Sequence, residues 1–210
     1  ALTDISFEVE KGEFVFLVGP TGSGKTTIFK LIIREIPLTS GTISVNGEDI
    51  SRLSYKKITD LRKKIGVVFQ DLKILMDRTI FENIALPLEI SGLKAIDVKK
   101  SVDEIMKRVG IAEHFDKFPI QLSGGELQRT AIARALVLAP DILLADEPTG
   151  DLDEATASEI VKLLLEINQK GTTVIMATHS QDIIKALSKR TIVLDKGKLA
   201  KDSGNKEVKK

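Results

Sequence analysis

The 210-residue sequence contains no cysteine and no tryptophan, and it has only one tyrosine and two histidines. The absence of cysteine excludes disulfide scaffolds and cysteine-ligated zinc centres, and it is consistent with a reducing compartment. No signal peptide is recognisable, and no apolar run approaches the ~18 residues that suggest a membrane-spanning helix. Basic residues (31) nearly balance acidic residues (30), so the net charge of +1 gives no reason to expect nucleic acid as a partner.

Strand-like and helix-like segments alternate near both ends of the chain. Alternating polarity at residues 5–9 predicts a half-buried strand, and the pair Asn46–Gly47 predicts a hairpin, so antiparallel strands are expected at the N-terminal side. The continuous apolar runs that are typical of fully buried strands lie at residues 14–18, 66–69, 142–145 and 173–177. Between them the period becomes helical, with one apolar face formed by Val98, Val102, Ile105, Met106 and Val109.

This pattern predicts a single α/β domain that is interrupted by an inserted α-helical subdomain. We expect residues 1–70 and 136–200 to form the core and residues 71–135 to form the helical subdomain. Residues 201–210 are rich in lysine and poor in apolar side chains, so they are expected to form a flexible tail.

The stretch GPTGSGKT at residues 19–26 fits the phosphate-binding pattern G-x-x-x-x-G-K-[ST], between a buried strand and a helix. Glycines let backbone N–H groups turn towards a polyphosphate, and the helix adds the positive end of its dipole. We expect ATP and Mg²⁺ as ligands, with Lys25 on the β- and γ-phosphates and Thr26 on the metal. The alternative is a glycine-rich turn that binds nothing. The expected nucleotide-binding residues are Gly19, Pro20, Thr21, Gly22, Ser23, Gly24, Lys25, Thr26 and Thr27.

Two adjacent carboxylates, Asp146 and Glu147, end the apolar run ILLA. Ligands bind at the carboxyl ends of strands in open α/β sheets. Two adjacent carboxylates repel each other unless a cation binds them or the two side chains serve different roles. Neighbouring side chains on a strand point apart, so we expect Asp146 to face Mg²⁺ through water and Glu147 to face the γ-phosphate as general base. The alternative is an Asp–Glu turn that caps the next segment.

Three further polar residues require placement. His179 follows the strand-like stretch TTVIMAT and is a candidate to contact the γ-phosphate and orient water. Gln70 ends the stretch GVVFQ, where its carbonyl oxygen is a candidate Mg²⁺ ligand at the hinge to the helical subdomain. His114 has no comparable neighbours, and we expect it at the surface.

The stretch QLSGGELQR at residues 121–129 places two glycines where a helix has to begin. Ser123 and Glu126 fit a capping box, so this helix has a proper start. Glycine at its first positions leaves bare N–H groups, which suit a bulky anion. Because this helix lies in the inserted subdomain, the economical arrangement is a homodimer in which each copy's Ser123, Gly124, Gly125 and Glu126 close on the nucleotide of the other copy.

These motifs occur in the order found in ABC-type ATPases, and the sequence resembles that family over essentially its whole length. The shared features are GPTGSGKT, Gln70, LSGGE, ILLADE, the GDLD run at residues 150–153, and His179. The resemblance implies a P-loop NTPase core of the RecA-like type and two domains around two ATP molecules, with Asp151 and Asp153 at the dimer seam. Asp151 stands where asparagine is usual, and Ser180 follows His179 where aspartate is common.

Within the family, several stretches are similar to the cell-division branch, among them REIPLTSGTISVNGEDI and VVFQDLKILMDRTIFENIALPL. This likeness implies an ATPase at the cytoplasmic face of the plasma membrane, bound to an integral membrane partner. The alternatives are lipoprotein-releasing or macrolide- and peptide-export transporters and, further away, a DNA-repair or chromosome ATPase head. Family members usually stack an aromatic residue upstream of the first strands on adenine; none precedes Ala1, so we expect a truncated start and nucleotide binding weaker by roughly 1–3 kcal/mol.

An apolar, loop-like segment directly after Gln70 is the candidate docking surface for the membrane partner, because exposed apolar loops mark interaction sites. The alternative is that these residues pack inside the helical subdomain. The candidate groove residues are Leu72, Ile74, Leu75, Met76, Ile80, Phe81 and Ile84.

Overall fold

A computed structural model of the chain describes residues 2–204. The strands are β1 (Phe14–Val18), β2 (Ser44–Val45), β3 (Glu48–Asp49), β4 (Ile65–Val68), β5 (Ile142–Asp146), β6 (Thr173–Thr178), β7 (Arg190–Asp195) and β8 (Lys198–Asp202). The α-helices are α1 (Lys25–Ile32), α2 (Tyr55–Lys63), α3 (Ile80–Ile90), α4 (Ala95–Val109), α5 (Gly124–Leu136), α6 (Glu154–Gln169) and α7 (Gln181–Leu187). Short 3₁₀ turns lie at Ala112–His114 and Pro119–Gln121.

A six-stranded sheet in the order β4-β5-β6-β1-β7-β8 forms the centre of the fold, and only β8 runs antiparallel within it. The register places Val18 opposite Thr178, and Asp146 opposite Ala177. The carboxyl ends of β1, β5 and β6 therefore meet at one edge, which is where an open α/β sheet binds its ligands. The antiparallel pair β2–β3 forms a separate ribbon at the turn Asn46–Gly47, as the sequence predicts.

Two apolar clusters cover the two faces of the sheet. Phe14, Phe16 and Val18 of β1 point to one face, while Val15 and Leu17 point to the other. This alternation is expected of a strand buried on both sides. The helical subdomain packs on the first face, because the predicted apolar stripe of α4 is buried there with residues of α3 and α5. No helix in residues 2–204 is long and apolar enough to span a membrane.

The predicted strand at residues 5–9 is wrong, although its polarity pattern is informative. Ile5, Phe7 and Val9 are partly buried against the second apolar cluster and their neighbours are exposed, but the segment joins no strand ladder among the described residues. Side-chain alternation reports one covered face, and it does not report whether a neighbouring strand is available for backbone pairing.

The expected tail at residues 201–210 is also wrong at its start, because Lys201 and Asp202 belong to β8. Lys196 and Gly197 both have positive φ angles (46° and 79°), which suits the tight turn that joins β7 to β8. The Arg190 guanidinium then donates hydrogen bonds of 2.9 and 2.7 Å to the Asp202 carboxylate and fixes the last strand. The expectation for residues 205–210 lies outside the described residues.

Candidate active site

The loop between β1 and α1 contains the glycine-rich motif, and two of its glycines are required by geometry. Gly24 has a φ of 108°, a conformation that other residues rarely adopt. A Cβ atom added at Gly19 would collide with the carbonyl oxygen of Leu194 and with the Ser23 side chain. The loop therefore packs closely between β7 and the start of α1, and it presents its backbone at the carboxyl end of β1.

Lys25, the first residue of α1, is buried with its ammonium group inside this loop. Its Nζ donates a 2.8 Å hydrogen bond to the Gly19 carbonyl and a 3.4 Å bond to that of Pro20. The same nitrogen lies 3.7 Å from Oε1 of Glu147. A positive charge thus lies between the glycine-rich loop and the second carboxylate of the acidic pair, where a phosphate group gains charge-assisted hydrogen bonds.

Thr26 and Asp146 join the two motifs directly. The Thr26 hydroxyl donates a 2.7 Å hydrogen bond to Oδ2 of Asp146, whereas Oδ1 is buried and has no partner among the described residues. Burial raises the pKa of the Asp146 carboxyl, and the neighbouring Glu147 charge raises it further, while the Thr26 bond opposes both effects. An unpaired buried carboxylate oxygen beside a hydroxyl is an oxygen-donor set that fits a hard divalent cation such as Mg²⁺.

Glu147 faces the same cleft as Asp146, which corrects the expectation that the two side chains point apart. β5 ends at Asp146, and Glu147 has a left-handed backbone with a φ of 47°. Alternation applies only within a strand, so this turn of the backbone brings both carboxylates towards the glycine-rich loop. Oε2 of Glu147 lies 3.0 Å from Nδ1 of His179, whose side chain is 72% exposed.

Gln70 follows β4 and completes this cleft. Its pocket has a volume of about 230 Å³ and combines residues from four separate parts of the chain. The lining residues are Thr21, Gly22, Gly24, Lys25, Thr26, Thr27, Gln70, Asp146, Glu147 and His179. Gly19, Pro20 and Ser23, also predicted to bind nucleotide, are absent from this lining and form the body of the loop.

The helix α5 begins at Gly124 with the capping box that the sequence predicts. Ser123 accepts a hydrogen bond from the backbone N–H of Glu126, and Oε2 of Glu126 accepts a 2.7 Å bond from the backbone N–H of Ser123. These bonds hold the pKa of the Glu126 carboxyl below its usual range, first through the Ser123 side chain. Glu126 is therefore held as an anion within the cap.

The two glycines of α5 have different environments. A Cβ atom on Gly125 would lie 2.5 Å from Cγ2 of Thr156, whereas one on Gly124 would meet only Leu152 at 3.5 Å. The absence of a side chain at Gly125 is thus explained by the close approach of α6 within this chain. The bare N–H groups that the sequence suggests for a second molecule's nucleotide remain a prediction.

A second pocket of about 290 Å³ surrounds the start of α5, and it shares no lining residue with the first. It brings Asp151 and Asp153, the predicted seam residues, beside the signature stretch, which is LSGGE at residues 122–126. Asp153 caps α6 by accepting hydrogen bonds from the N–H and hydroxyl of Thr156, which lowers the pKa of its carboxyl. The lining consists of Ser123, Gly124, Gly125, Glu126, Arg129, Asp151, Leu152, Asp153, Thr156 and Glu159.

His114 is not at the surface, and sequence reasoning missed its position. Only 6% of the residue is exposed, and its Nε2 lies 2.8 Å from Oε1 of Glu126. The 3₁₀ turn after α4 brings its ring against Glu126 in the first turn of α5, the signature helix. Its sequence neighbours Glu113 and Phe115 give no signal of this contact, because the partner is twelve residues away.

The candidate docking groove is partly wrong. Ile80 and Ile84 are completely buried in the first apolar cluster, so they cannot line a groove. They lie on the inward stripe of α3, which fits the alternative that the sequence left open. Leu72, Ile74 and Phe81 are partly buried against the same cluster, and only Leu75 (39% exposed) and Met76 (57% exposed) project clearly into solvent.

Comparisons with known proteins agree with this geometry. The model of the ABC transporter family matches residues 2–150. The cell division ATP-binding protein FtsE of Bacillus subtilis is 46% identical over 207 residues, which cover 99% of this chain and 91% of that protein. The FtsE protein of Escherichia coli is 45% identical over 199 residues, covering 95% of this chain and 90% of its own length.

Solved structures extend the likeness to the fold. The dimeric structure of MJ0796, a bacterial ABC transporter cassette, superposes with a TM-score of 0.87 at 34% identity, covering 96% of this chain and 89% of that one. A dimeric post-hydrolysis state of MJ0796 bound to ADP and Pi gives the same TM-score at 33% identity, with the same coverage. The chain therefore belongs to the ABC transporter family, as an ABC ATPase with a P-loop α/β core and an inserted helical subdomain.

Proposed function

We propose that this chain is the ATP-hydrolysing subunit of a membrane ABC complex of the FtsE type, which couples ATP-driven dimerisation to an FtsX-like membrane partner in cell division and the control of cell-wall hydrolysis. The observation that carries the ATPase assignment is the convergence of Lys25, Asp146, Glu147 and His179 on one pocket. The cell-division assignment is supported by near-full-length identity of 42–46% to proteins named FtsE. No contact with nucleic acid is part of this proposal.

The glycine-rich loop holds the triphosphate of ATP in this proposal. Lys25 exchanges its bonds to the Gly19 and Pro20 carbonyls for phosphate oxygens, which costs little because the ammonium already lies in the loop. Thr26 and Gln70 would ligate Mg²⁺, and Asp146 would contact it through water. Such a cation would offset the negative charge of the phosphates. The unpartnered Oδ1 of Asp146 supports this arrangement.

Glu147 acts as the general base in hydrolysis. Its side chain is 10% exposed and lines the pocket, where its carboxylate can accept a proton from the attacking water. His179, 3.0 Å from Glu147, orients this carboxylate and contacts the γ-phosphate. Lys25 stabilises the charge that develops on the transferred phosphoryl group.

A homodimer encloses two ATP molecules. Ser123, Gly124, Gly125 and Glu126 of one copy close on the nucleotide held by the loop of its partner, while Asp151 and Asp153 lie at the seam. Two features support this arrangement. The signature residues line a pocket separate from the phosphate loop of their own chain, and similar cassettes form dimers.

The membrane partner docks on the loop after Gln70, centred on Leu75 and Met76, with Leu72, Ile74 and Phe81 behind them. An exposed apolar pair on a well-anchored loop is typical of an interaction site. Asn83, which is completely buried, donates hydrogen bonds to the carbonyls of Leu75 (2.9 Å) and Thr79 (3.0 Å) and so holds this loop. The ATPase is then a peripheral protein at the cytoplasmic face of the plasma membrane.

The test is capture of the partner from native membranes. Glu147→Gln protein, held with ATP and Mg²⁺, is used as bait, and co-purifying proteins are identified by mass spectrometry. A small four-span membrane protein with a large extracytoplasmic domain is the expected result. A permease with a substrate pathway, or a lipoprotein-extracting partner, would retain the ATPase roles and overturn the cell-division assignment.

A further inference from the structure

Among the described residues, the nearest charged partner of His114 lies in the first turn of α5. His114 ends the 3₁₀ turn after α4, and its Nε2 lies 2.8 Å from Oε1 of Glu126. Oε1 of Glu113 lies farther from the same nitrogen, at 3.6 Å, on a side chain that is 69% exposed. Nδ1 is buried and has no partner within residues 2–204. Nε2 is therefore the ring nitrogen that faces the Glu126 carboxylate, and a hydrogen on it points towards an acceptor.

The Glu126 carboxylate divides its two oxygens between His114 and Ser123. Oε2 accepts hydrogen bonds from the backbone N–H and from the hydroxyl of Ser123, both at 2.7 Å. Oε1 lies 2.8 Å from Nε2 of His114. About a third of the Glu126 side chain is exposed, so without a second anchor it is free to leave the cap for solvent. The histidine supplies this anchor from the buried side.

We propose that His114 is a positioning residue for the nucleotide bound by the partner copy. By fixing Glu126, it fixes the hydroxyl of Ser123 and the first N–H groups of α5 in the orientation that closes on the other protomer's ATP. The inference rests on the proposed ATP-enclosing dimer. Its effect belongs to dimer closure, because His114 and Glu126 are absent from the lining of their own chain's phosphate-loop pocket.

The competing explanation is that His114 is an ordinary packing residue of the helical subdomain. Both explanations predict some loss of stability on substitution, so stability alone does not separate them. They differ in where the functional loss occurs. A positioning role weakens ATP-driven dimerisation and leaves the affinity of the monomer for ATP unchanged. A packing role lowers the melting temperature with no selective effect on the dimer.

The experiment uses the full chain with Glu147→Gln as the parent, so that ATP is retained. Three variants are compared with it: His114→Leu, which fills the space without a donor; His114→Gln, which keeps an N–H donor; and Glu113→Gln, the matched control on the exposed neighbour. Sedimentation gives the dimer dissociation constant with MgATP, and calorimetry at low protein concentration gives the affinity of the monomer for ATP.

We expect His114→Leu to raise the dimer dissociation constant about tenfold, because a loss of roughly threefold at each of two equivalent sites multiplies. We expect His114→Gln to recover most of this loss, Glu113→Gln to behave like the parent, and all variants to bind ATP as monomers with unchanged affinity. Equal dimerisation by His114→Leu and the parent would overturn the positioning role alone. A parent that stays monomeric with MgATP would instead overturn the proposed dimer.

A second measurement needs no dimer. The N–H of Ser123 donates to Glu126, so its hydrogen-exchange rate in the monomer reports directly on the cap. We expect exchange at residues 123–126 to be several-fold faster in His114→Leu and close to the parental rate in His114→Gln. Unchanged exchange in His114→Leu would show that the histidine does not hold the cap, and it would overturn the inference even where the variant folds normally.

Discussion

Glu147 shows how a single strained residue builds the site. Its φ of 47° lies in the left-handed region, where a non-glycine residue costs roughly 1–2 kcal/mol. Two backbone bonds hold it there, from its own N–H to the Ala177 carbonyl (3.0 Å) and from the Gly150 N–H to its carbonyl (3.1 Å). Strain of this kind persists where the surroundings over-determine it, commonly at functional sites. Here it turns the second carboxylate towards Lys25 and His179.

Glu147→Gln is therefore expected to lower ATP turnover by about 10²- to 10⁴-fold, because the amide does not accept the proton of the attacking water. Binding of ATP should survive, since Lys25 and the glycine-rich loop are untouched, and an ATP-bound dimer should accumulate. Steady-state phosphate release and sedimentation with MgATP measure the two effects. Glu166→Gln, an exposed carboxylate on α6, is the matched control. Turnover near the parental rate in Glu147→Gln would remove Glu147 as the base.

Without a bound cation, Asp146 lowers the stability of the folded protein. Burial raises the pKa of its carboxyl, so above that pKa its ionised form destabilises the fold. Asp146→Asn is expected to raise the free energy of unfolding of the nucleotide-free protein at pH 7 and to abolish stabilisation by MgATP. That stabilisation should be about 2.7 kcal/mol for the parent at a hundredfold excess over Kd, or roughly 5–10 °C in Tm.

Thermal unfolding of Asp146→Asn and the parent is measured with and without MgATP. It reports the expected gain in stability of the nucleotide-free variant and its expected loss of stabilisation by MgATP. EDTA in place of Mg²⁺ is the control on the same samples, and it should bring the parent towards the variant. A variant that MgATP still stabilises as much as the parent would show that Asp146 is not part of the metal site.

At the scale of the element, α5 connects the signature stretch to the loop after Gln70. Near its end, Arg134 donates hydrogen bonds of 2.7 Å to the Lys73 carbonyl and 2.5 Å to that of Leu72. Leu72 and Lys73 have φ angles of 54° and 51°, so two successive residues are left-handed. Burial lowers the pKa of Arg134. The guanidinium thus stabilises a strained loop directly beside the candidate docking residues.

Arg134→Met is expected to lower the free energy of unfolding by about 2–3 kcal/mol, because the carbonyls of Leu72 and Lys73 both lose a charged donor. Urea denaturation measures the loss, and hydrogen exchange at residues 71–76 locates it. Arg134→Met is also made in Lys73→Gly protein. This is the matched background, because glycine adopts the left-handed conformation without strain. The cost of Arg134→Met should be smaller there. An equal cost in both backgrounds would mean that the arginine does not stabilise the loop conformation.

Elements with a strong period were predictable, and contacts between distant residues were not. Short stretches of sequence suffice to predict the apolar stripe of α4, the buried strands and the capping box of α5. His114 depends on Glu126, and β8 depends on Arg190 and Asp202 meeting across a turn. The prediction that Ile80 and Ile84 line a groove is wrong, because an apolar segment has the same sequence pattern whether it covers a core or forms a groove. The nucleotide pocket was predictable because its motifs are tied to strand ends.

At the scale of the whole molecule, one ion-pair network closes the sheet at its β8 edge. Arg190 on β7 donates to Asp202 of β8 (2.9 and 2.7 Å) and to Glu13, just before β1 (3.1 Å). The Asp202 side chain is 3% exposed, and Arg190 holds the pKa of its carboxyl below the unfolded value of 3.8. The stability from this pair is therefore present above pH 3.8 and is lost as the pH falls through the lowered folded pKa.

Asp202→Asn is expected to lower the free energy of unfolding by about 1–3 kcal/mol at pH 7, since it removes a buried charged acceptor from the partly buried Arg190. The difference from the parent should shrink as the pH falls towards 3 and below. Urea denaturation at pH 7 and pH 3 measures this dependence. Asp195→Asn, at an exposed position on β7, is the control. A difference that is independent of pH would show that packing, and not the carboxylate charge, accounts for the loss.

The whole molecule also has to connect ATP hydrolysis to a membrane partner, and the exposed pair Leu75 and Met76 offers the direct test. Leu75→Asp or Met76→Asp should abolish capture of the partner, because an aspartate side chain loses its water in an apolar contact. The basal ATPase rate should stay within about twofold of the parent, since neither residue lines the nucleotide pocket. Ile96→Asp, at a 74% exposed position on α4, controls for added surface charge. Loss of ATPase together with the folded state would show that these residues stabilise the helical subdomain and do not serve as a docking surface. Retained capture with normal ATPase would move the docking surface elsewhere on the molecule.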